Sequence, residues 1–188
     1  LDIAPLGGFG LIAIFSIQEG GNLILNDNGN TSTVKIDNST VNNVYSLISC
    51  YDEGTGSKLT INGGNYTLEK AGDNLVHSAG DDAVIINGGT FTLVNVGEEG
   101  PGSNYNPWIF NANGKNQRNV IVNGGTFNAD INHQFWANEV YVPETLALQN
   151  NGDGTWTVVE SVAYAVEKAT STNASARNVG YATLAEAV

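Results

Sequence analysis

Apolar and polar residues alternate through much of the stretch 34–127, and one short pattern occurs there four times. In the copy at 59–68, a threonine separates Leu59 from Ile61, Asn62-Gly-Gly follows, and apolar residues then alternate again. A period of two is typical of a β-strand, and Asn and Gly accept the backbone angles of a sharp corner. Each copy therefore predicts a strand, a corner and a second strand. The copies are Val34–Val41, Leu59–Tyr66, Val84–Phe91 and Val120–Phe127.

The spacing of the copies predicts a stacked architecture. They begin at positions 34, 59, 84 and 120, so two periods are 25 residues long and the third is 36. Each period holds one more apolar pair, and three short strands with three turns fit one coil of a solenoid, which needs neighbouring coils to bury its inward side chains. The prediction is an all-β, single-stranded parallel β-helix of about five or six coils. The additional apolar pairs are Leu47-Ile48, Leu75-Val76 and Ile109-Phe110.

Stacked coils predict rows in which like residues lie above one another. Two rows are aliphatic, one is mainly aromatic, and one is polar and lies at the corner, where amide side chains can bond along the stack. The polar row could also bind a ligand, but every copy needs the same corner, which favours a structural role. The rows are Val34, Leu59, Val84 and Val120; Ile36, Ile61, Ile86 and Val122; Val41, Tyr66, Phe91 and Phe127; and Asp37, Asn62, Asn87 and Asn123.

The remaining segments divide the chain into three parts. Residues 1–145 are assigned to the β-helix, with a first strand over Leu11–Phe15. Residues 146–160 alternate on either side of a turn-rich segment and predict a β-hairpin that covers the open end of the helix. Residues 161–188 differ in composition and predict a linker or the start of a following module.

Composition and charge narrow the possible partners. The chain of 188 residues has 23 Gly, no Met and a formal net charge of −12, which disfavours binding to nucleic acid or anionic lipid. The single cysteine, Cys50, excludes an internal disulfide. The longest apolar run, in 11–17, is too short to span a membrane.

The Asn-Gly-Gly-Thr-Phe copies resemble the right-handed parallel β-helices of the pectate-lyase-like superfamily. Together with the stretches 153–158 and 180–188, the copy at 123–127 is similar to modules of large exported surface proteins of gut bacteria. This resemblance implies a right-handed helix and an extracellular or cell-surface location.

The same superfamily includes polysaccharide lyases and glycoside hydrolases, so the resemblance raises the question of whether the chain has catalytic acids or metal ligands. Asp81 and Asp82 are weak acidic candidates, because neighbouring residues on a strand point to opposite faces. His77 and His133 lie far apart in the sequence and lack other ligands at zinc spacing. The sequence therefore predicts no metal site, no cofactor and no catalytic set.

The long third period contains the candidate binding residues. Asn104, Tyr105 and Asn106 lie at the end of the insertion 97–107 and Trp108 follows it directly; aromatic faces beside amide groups suit sugar rings. Trp108 could instead begin a strand and point into the core. The main hypothesis is a non-catalytic surface module, structural or adhesin-like, that contacts glycans, a host protein or a neighbouring surface protein. The alternatives are a minimal or degenerate lyase or hydrolase of the β-helix class, and a purely structural repeat.

Overall fold

The computed structural model describes residues 13–36, 46–52, 56–69, 74–80, 83–93, 108–114, 119–131 and 140–161. Within these ranges the protein is all-β, and they contain no α-helix. The strands are β1 (Phe15–Ile17), β2 (Asn22–Leu25), β3 (Thr33–Ile36), β4 (Ser46–Asp52), β5 (Lys58–Leu68), β6 (Asn74–Gly80), β7 (Ala83–Leu93), β8 (Phe110–Gly114), β9 (Val120–Val122), β10 (Thr126–Phe127), β11 (Val140–Tyr141), β12 (Leu146–Asn150) and β13 (Trp156–Glu160).

The strands form two sheets that the chain visits in turn. Sheet 1 has the order β1-β4-β6-β8, and all its neighbours are parallel. Sheet 2 holds the other strands, and β5 and β7 lie at its centre. From β1 to β10 the chain alternates between a strand of sheet 1 and one or two strands of sheet 2. The additional apolar pairs therefore belong to sheet 1: Leu47-Ile48 lies in β4, Leu75-Val76 lies in β6, and Ile109-Phe110 lies at the start of β8.

The predicted rows are confirmed for the second, third and fourth copies. In parallel register, Leu59 lies beside Val84 and Val84 beside Val120. Ile61, Ile86 and Val122 form the second row in the same way, and all six side chains are buried. In-register partners share one face of a sheet, so these rows continue from strand to strand as an apolar interior.

Three aromatic rings stack through the core. The ring of Phe91 lies 5.1 Å from that of Tyr66 and 5.2 Å from that of Phe127, and both pairs are nearly parallel at 15°. Phe110 of sheet 1 meets Phe91 at 6.0 Å and Phe127 at 5.7 Å. The aromatic row thus joins neighbouring strands within sheet 2 and also joins the two sheets across the core.

The alignment of the first copy was wrong. Val34 pairs with Tyr66 rather than with Leu59, and Ile36 pairs with Leu68 rather than with Ile61. The partners of Leu59 and Ile61 are Leu23 and Leu25, which belong to the segment before the first assigned copy. The first copy therefore begins at Leu23 and consists of β2 and β3, with residues 26–32 between them. Leu23 lies 36 residues before Leu59. Asp37 and Val41 lie outside the described residues.

The Asn-Gly-Gly corner does not end the strand in the second and third copies. β5 and β7 each run unbroken for 11 residues through it, with register shifts around Asn62. Gly64 has a φ of 102° and Gly89 one of 114°, so the chain bends there while sheet pairing resumes on both sides. In the fourth copy the corner does separate two strands, β9 and β10.

The predicted C-terminal hairpin is present and covers one edge of sheet 2. β12 and β13 pair antiparallel over 146–150 and 156–160, and β13 also pairs antiparallel with β10. Leu148 and Val158 are buried in the same core as the rows. Residues 162–188 lie outside the described part of the chain.

Phe91→Ala should lower the free energy of unfolding by about 3–5 kcal/mol, because it removes a fully buried ring that three other rings contact. Urea titration of both proteins measures the change. Thr92→Ala, at the neighbouring and partly exposed position, is the matched control and should cost under about 1 kcal/mol. Equal losses in the two variants would contradict the core position of Phe91.

Gly63→Ala should cost roughly 3 kcal/mol, because a Cβ there would lie 2.0 Å from the carbonyl oxygen of Asp27. Gly152 also has a positive φ, 80°, but a Cβ on it would meet no atom within 4 Å. Gly152→Ala therefore isolates the backbone cost, about 1–2 kcal/mol. Denaturant titration of both variants measures the two losses in the free energy of unfolding. Equal losses would show that the segment containing Asp27 moves away freely.

Candidate functional site

Of the four predicted binding residues, only Trp108 lies in the described part of the chain. Its side chain is 6 % exposed, and its carbonyl oxygen accepts a hydrogen bond of 2.9 Å from the N–H of Leu75 in sheet 1. A ring buried to this extent offers little surface to a sugar, which favours the alternative of Trp108 as a core residue. Asn104, Tyr105 and Asn106 lie outside the described residues, as do Asp81 and Asp82. Their proposed roles remain predictions.

The polar row at the corner is continuous from one strand to the next. Asn123 Nδ2 donates to Asn87 Oδ1 at 2.8 Å, Asn87 Nδ2 to Asn62 Oδ1 at 2.7 Å, and Asn62 Nδ2 to Asn26 Oδ1 at 2.6 Å. Each inner amide uses one donor and one acceptor along the stack, so it retains one N–H for other partners. Asn26 takes the place that had been predicted for Asp37.

The segment 26–32 folds over the corner of β5 and is held by side-chain to backbone hydrogen bonds. Asn30 Oδ1 accepts a hydrogen bond from the N–H of Gly64 at 2.8 Å, and Asn65 Nδ2 donates to the Asn30 carbonyl at 2.6 Å. The carboxylate of Asp27 accepts hydrogen bonds from the N–H groups of Ser32 and Gly29. The bonds from Ser32, above all, hold the pKa of Asp27 below its ordinary value. This carboxylate is therefore engaged in shaping the turn.

Beyond the corner, the outward face of sheet 2 carries two further rows of polar side chains. These residues alternate with buried Tyr66, Phe91 and Phe127, so they point to the opposite face of the sheet. Most are threonine or asparagine and are partly exposed. One row is Thr33, Asn65, Thr90, Thr126 and Thr157. The other row, beside the first, is Lys35, Thr67 and Thr92.

These two rows, which we call the threonine face, are nearly free of charge. Lys35 is the only ionisable side chain in them, and it forms an ion pair with Glu69 at the end of β5. Thr126 Oγ1 and Thr157 Oγ1 lie 3.2 Å apart, which extends hydrogen bonding onto the hairpin. Strands in a sheet are about 4.8 Å apart, so the face presents hydroxyl and amide groups at that repeat. Such groups can donate and accept hydrogen bonds, but at neutral pH they provide neither a general base nor an anionic nucleophile.

The sequence contains a signal for this face. Thr67, Thr90 and Thr126 are the polar partners in the alternation that identified the aromatic row. Their recurrence by itself predicts only strand periodicity. Once the buried positions are known, the opposite positions follow from the period of two.

Sheet 1 brings together a further polar row, which the sequence patterns do not predict. Ser49, His77 and Asn111 are in-register partners on β4, β6 and β8. His77 is only 4 % exposed, and this burial lowers its pKa to about 4. The imidazole is therefore neutral at physiological pH. Ser49 and His77 lie 28 positions apart in the sequence, and His77 and Asn111 lie 34 apart, so no local motif predicts this row.

Within the described ranges, no three His, Cys, Asp or Glu side chains come together as a metal site requires. The same part of the chain contains no helix long and apolar enough to cross a membrane. The chemistry available on the threonine face is mainly that of hydroxyl and amide groups.

Comparison with known proteins found no matching protein-family model, no similar curated protein and no similar solved structure.

His77 should make the folded protein less stable in mild acid. Its pKa is lowered from 6.5 to about 4, so below about pH 6.5 the unfolded chain binds a proton that the folded protein does not. The stability present above pH 6.5 is lost as the pH falls toward 4, by about 2 kcal/mol at pH 5. His77→Gln keeps a polar side chain that does not titrate there, so its stability should fall less between pH 7 and pH 5. Urea titrations at the two pH values test this, and parallel pH profiles would contradict it.

Proposed function

We propose that this protein is a non-catalytic module of the single-stranded, right-handed parallel β-helix type that serves as a rigid structural or adhesin-like element outside the cell. Support for the β-helix comes from the alternation of the chain between the two sheets and from parallel register at spacings of 25 and 36 residues. A stack of this kind grows by adding coils, so it suits a spacer that holds a surface away from its attachment point. The extracellular location rests on the resemblance to exported surface proteins.

We further propose that the threonine face contacts a neutral glycan. The observation that carries this proposal is the continuity of uncharged hydroxyl and amide groups from Asn65 through Thr90 and Thr126 to Thr157. Sugar hydroxyls are themselves donors and acceptors, so a row of such groups can bond successive residues of a polysaccharide. A neutral ligand fits because an acidic one would meet a chain of net charge −12 with few cations on this face.

The alternative, a lyase or hydrolase, needs ionisable groups that converge from at least two strands. On the threonine face the corresponding positions hold Thr and Asn, and its one lysine is engaged with Glu69. Asp81 and Asp82, the acidic candidates, are not among the described residues. The described geometry therefore favours binding over catalysis as the proposal.

The test is a binding screen against cellulose, xylan, mannan and pectate, in which release of reducing ends is followed in the same samples. Thr90→Val with Thr92→Val removes two hydroxyls of the threonine face while keeping β-branched side chains. This double variant should bind the recognised polysaccharide at least about tenfold more weakly, a loss of about 1.4 kcal/mol. Thr60→Val is the matched control. Thr60 also lies on the outward face of sheet 2, in β5, but it is outside these two rows, so the variant should bind normally.

Deletion of Gly97–Asn106 separates this proposal from binding by the insertion, where Asn104, Tyr105 and Asn106 lie. If the threonine face binds, the deletion leaves affinity intact. If binding is lost on deletion and kept in the double variant, the contact belongs to the insertion. Time-dependent release of reducing ends from any of the polysaccharides would instead favour the enzymatic alternative.

A further inference from the structure

The sequence contains six Asn-Gly pairs, and this dipeptide has a characteristic reaction. The backbone nitrogen of the glycine can attack the side-chain amide carbon of the asparagine, because glycine has no Cβ to shield that nitrogen. The reaction needs the two atoms in an attack geometry, so the amide must be able to turn toward the next residue. The fold therefore decides which pair reacts. The pairs are 28–29, 62–63, 87–88, 113–114, 123–124 and 151–152.

Three of the pairs lie in the polar row at the corner, where their amides are fixed. Asn62 and Asn87 each donate one hydrogen bond and accept another along the stack, and Asn123 donates to Asn87 at 2.8 Å. The backbone is held as well, because Asn62 and Asn87 lie inside β5 and β7, and the N–H of Asn123 donates to the Ile86 carbonyl at 2.7 Å. Turning any of these amides would break at least one hydrogen bond of the row.

The pair 151–152 lies in an exposed turn, yet its amide is also held. Asn151 Nδ2 donates to Thr155 Oγ1 at 2.8 Å and to Thr157 Oγ1 at 2.9 Å. The N–H of Gly152 donates to Asn150 Oδ1 at 2.8 Å. Exposure alone therefore does not free an Asn-Gly pair in this protein.

The pair 28–29 differs from these four in its side chain. Asn28 is exposed in the turn 26–32, and its amide makes no hydrogen bond to any residue that the structure describes. The N–H of Gly29 donates to Asp27 Oδ1 at 3.1 Å, which is long for a hydrogen bond to a carboxylate. The amide carbon of Asn28 and the nitrogen of Gly29 are therefore less restrained than the corresponding atoms of the other four pairs.

We propose that Asn28 is a site of spontaneous deamidation, and that it reacts first among the five Asn-Gly pairs whose side chains the structure describes. The Gly29 nitrogen forms a bond to Cγ of Asn28, the bond from Cγ to Nδ2 breaks, and ammonia leaves with the proton from the Gly29 nitrogen. Water then opens the cyclic imide at either carbonyl and gives aspartate or isoaspartate. The only co-reactant is water.

The product alters the turn that covers the corner of β5. It places a new carboxylate next to that of Asp27, and like charges at such short distance repel. Isoaspartate also adds one carbon to the main chain, in a segment where Asn26 and Asn30 bond to the corner. Deamidation should therefore loosen the contact between this turn and Gly64.

Incubation of the folded protein in mildly alkaline heavy-oxygen water, followed by peptide mapping with mass spectrometry, measures the reaction at each pair. Heavy oxygen enters when water opens the imide, so it marks newly formed product. Asn28 should gain the label first, while Asn62, Asn87 and Asn123 should stay unlabelled. In protein unfolded by urea the same pairs should react at similar rates, because the restraints of the fold are gone.

Two variants test the two causes. Gly29→Ala should slow labelling at Asn28 by at least about tenfold, because a Cβ shields the nitrogen. This variant should fold, since the nearest heavy atom to the added Cβ would be Thr31 Cγ2, at 3.3 Å in a side chain. Thr155→Val with Thr157→Val removes both acceptors of the Asn151 amide, so labelling at Asn151 should rise while that at Asn28 stays the same.

Four results would overturn the proposal. They are labelling of the polar row or of Asn151 as fast as that of Asn28 in the folded protein, an Asn28 that is labelled in the unfolded protein alone, an unchanged rate at Asn28 in Gly29→Ala, and an unchanged rate at Asn151 in the double variant. The mapping of the unaltered protein decides the question even if a variant does not fold.

Discussion

Parallel, in-register stacking of like residues is the constraint on which this structure depends. Each inward position must be filled by a side chain that also covers the residues before and after it in its row. Phe91 meets this condition with Tyr66 on one side and Phe127 on the other, at centroid distances of 5.1 and 5.2 Å. One ring therefore contributes to two interfaces, and a cavity at its position would expose both neighbours. The same constraint explains why the aliphatic rows consist of Leu, Ile and Val alone.

The corner obeys this constraint through hydrogen bonds and small residues. The Asn side chains bond along the stack because their amides repeat at the strand spacing, and each amide both donates and accepts. Gly63 lies so close to Asp27 of the preceding level that there is no room for a Cβ. Tyr66 adds a local closure, since its hydroxyl donates to the Gly63 carbonyl at 2.9 Å, and burial raises its pKa to about 12. The corner is thus shaped by the next strand as much as by its own sequence.

The sequence predicted the rows where the corner is the same and misplaced them where the corner differs. Copies two to four share Asn-Gly-Gly, and their register was correct. In the first copy Asn26 is followed by Asp27, and the turn 26–32 stands in place of the two glycines, so the pattern placed the corner at Asp37 instead. A register predicted from the sequence pattern is correct only where the corner has been identified correctly. In the folded protein the register is determined by backbone pairing.

Less of the candidate site could be predicted, for two physical reasons. The threonine face follows from the strand period once the buried side is known, so it was accessible in principle. The row of Ser49, His77 and Asn111 was not, because it depends on the register between strands 28 and 34 residues apart and on which face of sheet 1 is covered. Trp108 illustrates the same limit, since sequence alone could not decide between a sugar-binding ring and a core ring, and its burial favours the core.

Because inward rows supply the stability, outward rows can change at little cost, and this separation bears on how such a stack acquires function. Thr67 and Thr92 sit beside the fully buried Leu68, Phe91 and Leu93, yet neither hydroxyl faces that core. Replacing an outward side chain alters a surface group and leaves the rows intact, so the energetic penalty is small. The ends are different, since residues such as Leu23 belong to an inward row but, among the described residues, have a neighbour in that row on one side only. At the ends, therefore, a replaced side chain alters the inward row itself, whereas along the faces it alters only the surface.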